Sequence, residues 1–77
     1  MTKDEFLQAI RSDRIRSDVF SLDGQSNECY VIENRGARWV VYYSERGLET
    51  GVREFPTESA ALEYMLEMLR TDPTTKR

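Results

Sequence analysis

Histidine is absent from this 77-residue chain, and cysteine occurs once, as Cys29. The first absence removes the side chain that most often serves as a general base near neutral pH. A single thiol closes no internal disulfide, and without histidine there is no Cys/His set of the kind that holds zinc. No apolar run approaches the roughly 18 residues that cross a bilayer, and the opening Met-Thr-Lys-Asp-Glu-Phe has neither a basic stretch nor an apolar one. The expectation is a cytoplasmic protein in a reducing compartment, neither exported nor inserted in a membrane. Clustered positive charge is also missing: eleven Lys and Arg face fourteen Asp and Glu, for a net charge of −3. Nucleic-acid phosphates reward the opposite balance, so a basic protein suits this chain better as a partner than nucleic acid does.

What is present describes one small domain, residues 1–77. A chain this short buries only about 60% of its unfolded surface, too little to divide between two cores. At roughly 0.05 to 0.15 kcal/mol per residue its stability falls near 4 to 12 kcal/mol, so losing one large core side chain threatens the fold. Hydrophobic residues at 39% and charged residues at 32%, with both signs interspersed, fit a globular surface and not a disordered tail.

Thr2 followed by Glu5 forms a capping box, and Phe6, Leu7 and Ile10 recur at helical spacing, which predicts a first helix from Lys3 to Arg11 or Asp13. The charged run "RSDRIRSD" reads as a loop. From Asp18 the period changes to two, with Phe20 and Leu22 alternating against Val19 and Ser21, and Asp23-Gly24 supplies turn chemistry. "ECYVIENRGARWVVYY" reads as a hairpin around Asn34-Arg35-Gly36-Ala37, with Glu33 opposite Arg38 and Ile32 opposite Trp39. A second loop, Ser44-Glu45-Arg46-Gly47, sets Leu48 opposite Tyr43, Thr50 opposite Val41 and Val52 opposite Trp39. One face then collects Phe20, Leu22, Tyr30, Ile32, Trp39, Val41, Tyr43, Leu48 and Val52. The other holds Glu33, Arg38, Glu49 and Arg53 around Cys29, Val31, Val40 and Tyr42. Pro56 ends the last strand, Thr57 caps a helix over "ESAALEYMLEMLR" with Ala61, Leu62, Met65, Met68 and Leu69 on its apolar stripe, and residues 71–77 form a tail. The fold class is α+β: a helix, a three- to four-stranded antiparallel meander and a second helix, with both helices on the first face.

Chemistry is hard to build from these residues. Cys29 falls mid-strand with no basic neighbour to lower its pKa, which favours a structural role. No pair of carboxylates sits in an apolar segment that would raise one of them for acid work. The arginines are interleaved with acids, and no Gly-rich loop opens either helix, so a solvated mixed-charge surface explains them better than a phosphate site. The element order matches double-stranded RNA-binding domains, but these lay lysines across phosphates at the start of the second helix, where this chain has Pro56-Thr57-Glu58-Ser59. Met65 and Met68 read as core filling before they read as a promiscuous groove. The second sheet face, an apolar centre of Val31, Val40, Tyr42 and Cys29 with a charged rim, has the pattern of a protein interface, and equally that of an amphipathic strand with exposed valines. No catalytic residue, metal ligand or cofactor is expected.

The succession "FSLDG", "ECYVIE", "RWVVYYSERG" and "REFPTESAALEYML", spanning Val19 to Leu69, resembles small bacterial proteins encoded beside polymorphic toxins, which act as their immunity partners. The resemblance implies a non-catalytic inhibitor that binds a cognate toxin domain in the cytosol, a basic nuclease being one such toxin. Asp23, Glu28, Glu45 and Glu49, with Asp18, are then the carboxylates that speed encounter. Tyr42 or Tyr43 then anchors the contact, and Glu45 and Arg46 project from a loop tip that meets either a partner or water. The alternative is a structural or regulatory adaptor that adds a strand or helix to a larger assembly. The oligomeric state is left open.

Overall fold

A computed structural model describes residues 1–22 and 28–72. Its elements are α1 (Lys3–Ser12), a 3-10 turn (Ser17–Val19), β1 (Phe20–Ser21), β2 (Cys29–Arg35), β3 (Arg38–Glu45), β4 (Leu48–Phe55) and α2 (Glu58–Thr71). The strands lie in the order β1-β2-β3-β4. The antiparallel meander expected from the sequence holds for β2, β3 and β4, but β1 pairs parallel to β2, with Phe20 beside Tyr30, so the sheet is mixed. The reason is packing: the Phe20 ring meets Phe6 of α1 edge-on at 5.4 Å, so core contact and not a hairpin turn places this short strand. Asp23-Gly24, assigned to that turn, lies outside the described residues.

Both helices start as their sequences dictate. The Thr2 hydroxyl accepts from the Glu5 amide at 3.2 Å, and the Glu5 carboxylate accepts from the Thr2 amide at 2.9 Å. Thr57 accepts in the same way from the Ala60 amide. The end of α1 shows what the charged run conceals. Arg14 takes a left-handed backbone, φ 55°, its amide donates to Arg11, and the Ile15 amide donates to Ile10 at 2.9 Å. This is a Schellman closure, whose hydrophobic partners are Ile10 and Ile15. Ile15 is accordingly 3% exposed and joins the core from inside a run the sequence assigned to a loop. Lys3 pairs with Glu58 and Asp13 with Arg70, so the helices lie side by side and run in the same direction. α2 also takes in Thr71, which the sequence reading placed in the tail.

The two hairpins depart from the expected registers in different ways. Between β2 and β3 the turn is only Gly36-Ala37, and Arg35 faces Arg38, Glu33 faces Val40 and Ile32 faces Val41. The pairing is thus displaced by two residues from the one expected. An even shift leaves every side chain on its assigned face, because side chains alternate with period two. Between β3 and β4 the turn is Arg46-Gly47, and Glu45 faces Leu48 and Tyr43 faces Thr50. Past Thr50 the register slips by one: Val41 faces Arg53 and Trp39 faces Phe55, so Gly51 and Val52 together oppose Tyr42. Gly51 has φ 64°, the left-handed first residue of a β-bulge.

That single extra residue exchanges the faces of the rest of β4. Val52 leaves the core side and is 44% exposed, Arg53 moves to the helix side, and Phe55 takes the place beside Trp39. Leu48 stays on the helix side, but at the hairpin tip no helix covers it. The helices do cover the predicted face: Phe6, Ile10, Ile15, Ile32, Val41, Ala61, Leu62, Met65, Leu66 and Leu69 form one buried cluster, with Trp39 packed against it. Leu66 belongs to that core, whereas Met68 sits at its margin. The opposite face is also sealed. Cys29, Val31, Val40 and Tyr42 make a second buried cluster, each 5% exposed or less, so neither the open apolar centre nor the exposed valines weighed from the sequence is found there.

Candidate functional site

The hairpin tip between β3 and β4 is where the chain turns apolar surface outward. Glu45, Arg46, Gly47, Leu48 and Glu49 are all exposed, and Leu48 is 68% so. Arg46 and Gly47 have φ of 51° and 81°, a type I′ turn. Gly47 takes positive φ without penalty, but the first position of this turn favours Asn, Asp or Gly, and an arginine there is held against its steric preference. Every residue of β4 except Phe55 is exposed, and its far side has no neighbouring strand in the described sheet.

The proposed partner-binding residues divide into groups. Glu45, Arg46 and Glu49 share the tip with Leu48. Glu28, exposed and at φ 56°, adjoins Cys29, which faces Ser44, so it stands at the same end of the sheet as Glu45. Tyr43 lies on the helix side, half-buried, its ring edge-on to Tyr30 at 5.1 Å. Burial first, then the charges of Glu45 and Glu28, hold its phenol above the ordinary value. Tyr42 is separated from these. It is 5% exposed, the Arg35 guanidinium lies 5.3 Å from its ring centre, and Glu33 and Glu49 both accept from Arg35. Burial and then the charge of Glu33 raise the Tyr42 phenol. Its ring is therefore a support under an ion network and has little surface to offer as an anchor. The hydrogen bonds that Arg35 donates to Glu49 and Glu33 push its pKa upward. Asp23 lies outside the described residues.

Behind the tip the bulge opens a cavity of about 230 Å³, walled by Tyr30, Tyr43, Thr50, Arg53, Tyr64 and Met68. The sequence reading placed Arg53 on the opposite face and assigned no site role to Tyr64 or Tyr30. The signal that leads to them is Gly51, because glycine within a strand often marks a bulge, and a bulge reassigns every residue after it. No group of three or more His, Cys, Asp or Glu among the described residues is arranged to hold a metal ion. No helix among them is long and apolar enough to cross a membrane. Compared with family models, with curated proteins and with solved structures, the chain matches none of them.

Proposed function

We propose that this chain is a non-catalytic immunity protein, which binds a cognate toxin domain in the cytosol and neutralises it by occlusion. The observation that carries the reading is the β3–β4 hairpin, whose tip bears exposed Leu48 among Glu45, Arg46 and Glu49, while Val52, the other exposed large hydrophobic residue among those described, stands further along β4 on the opposite face. An exposed apolar side chain in a charged surround has the composition of a protein interface. The acidic residues at this end of the sheet and the net charge of −3 favour a basic partner and speed its approach. The left-handed backbone at Arg46 is a strained conformation of the kind that clusters at contact sites.

A second reading, an adaptor that adds a strand to a larger sheet, draws on the open edge of β4. The bulge at Gly51 argues against it, because a partner strand would lose register halfway along. The experiment that separates them is affinity capture with the full chain from its native cell, followed by expression of the captured domain alone. The immunity reading expects growth arrest that this chain relieves; a captured domain that is harmless when expressed sinks it.

A further inference from the structure

The edge of β4 that faces away from β3 has no strand beside it among the described residues. Backbone hydrogen bonding in an antiparallel pair alternates along each strand. Glu45 and Leu48 flank a two-residue turn and form its first bonded pair, so Glu49 turns its amide and carbonyl to the free side. Beyond the bulge Glu54 does the same, because it faces Val40, which has the parity of Ser44 opposite Glu49. Between these two acids stands the register break of Gly51 and Val52. A regular strand laid along this edge loses step at that point. A second copy of β4, running antiparallel, brings the same break to the same place.

We infer that two copies of this chain associate through β4 about a twofold axis at the bulge, joining their four-stranded sheets into one. Counting outward from that axis, Thr50 faces Arg53 of the second copy, Glu49 faces Glu54, and Leu48 faces Phe55. Each of these pairs joins side chains of one face: Leu48, Thr50, Arg53 and Phe55 on the helix side, Glu49 and Glu54 on the other. Any other centre sets the bulge of one copy against a regular residue of its neighbour. The contact covers both exposed large hydrophobic residues among those described. Val52, 44% exposed, meets its own copy at the axis, and Leu48, 68% exposed, meets Phe55. The opposed acids are the unfavourable part, since like charges directly across a strand pair repel. Glu49 is held by Arg35 and Glu54 by Arg38, so each outer row reads Arg, Glu, Glu, Arg and carries no net charge. Leu48 belongs both to this contact and to the proposed toxin contact, so a second copy and a toxin exclude one another there. The inference itself does not depend on there being a toxin.

Sedimentation equilibrium of the full chain tests this apart from any growth assay. The expected mass rises reversibly from one chain to two between micromolar and millimolar concentration, and stops at two. Val52→Lys, which sets two ammonium groups together at the axis, should stay a single chain throughout. Glu54→Gln removes the opposed acids and should tighten association by about twofold or more. Oxidation in a glutathione buffer then reads the register. Val52→Cys should cross-link to its own copy, whereas Leu48→Cys, about 20 Å from its counterpart across six residue steps, should not. Should Val52→Lys fail to fold, the two cysteine variants carry the same test. A parent of one-chain mass at every concentration, growth beyond two chains, undiminished association of folded Val52→Lys, weaker association of Glu54→Gln, or cross-linking of Leu48→Cys in place of Val52→Cys would each overturn the inference.

Discussion

The two hairpins share β3 and both close through two-residue turns, yet they have opposite fates. Along β2, Cys29, Val31 and Ile32 are buried, and the pairing runs unbroken from Cys29 to Arg35. Along β4 nearly everything is exposed and the pairing breaks at Gly51. The turns differ as well. Gly36 alone takes positive φ in the first, a type II′ turn with glycine where that turn requires it, whereas the second places Arg46 in the left-handed region. The regular hairpin is built for folding. The bulged one contributes little buried area and turns Leu48 and Val52 outward, which frees it for contact. Under the proposed function, the bulge separates folding from contact within one sheet.

The comparison breaks most visibly through the cores of the two hairpins. Ile32→Ala should cost about 2 to 4 kcal/mol, because Ile32 is 1% exposed and the void cannot collapse fully. In a domain of this size that lowers Tm by more than about 10 °C. Leu48→Ala should change stability by less than about 0.5 kcal/mol, read in the same urea titration. A comparable loss from both would erase the distinction. Gly51→Ala comes next, with an expected loss of about 1 kcal/mol: a Cβ there meets nothing within 4 Å, so the whole effect is the left-handed backbone. Arg46→Asn should gain about 0.5 kcal/mol by relieving the turn while weakening toxin neutralisation, and joint replacement of Glu45 and Arg46 by Ala should weaken it with the fold intact. Neutralisation unchanged in that double variant would remove the tip from the interface.

The smallest effect is on the alkaline limb. Tyr30, Tyr42 and Tyr43 all have phenols raised above 10.0, with burial the first cause in each. A raised folded-state pKa contributes stability that is complete below the unfolded value and disappears as pH climbs through the folded one. Stability should therefore hold to about pH 10 and then decline, with phenolate absorbance lagging that of the unfolded chain. A titration in which all the phenols ionise as they do in urea contradicts this.

The elements were legible in the sequence because each carries its own chemistry: Thr2 with Glu5, Thr57 after Pro56, and glycine in both turns. The face of the sheet beneath the helices was legible too, and survived a mistaken register in the first hairpin because that displacement was even. The second hairpin failed for the complementary reason. One inserted residue at Gly51 reversed the parity, sending Val52 out and Arg53 in, and alternation alone cannot reveal where an extra residue sits. Ile15 escaped notice because its burial depends on a helix closure at Arg14, a position more often filled by glycine. The sealed second face was illegible for another reason. Whether Val31 and Val40 meet water depends on where Arg35, Glu33 and Glu49 fold across it, which is a tertiary fact.

The most direct measurement places Asp at both Leu48 and Val52 and records two quantities on one preparation, the urea midpoint of the free protein and its relief of growth arrest by the captured toxin. An outward-facing contact hairpin predicts a midpoint close to that of the parent and relief abolished. A collapsed midpoint would make these side chains part of the core, and full relief at an unchanged midpoint would place the contact on another surface.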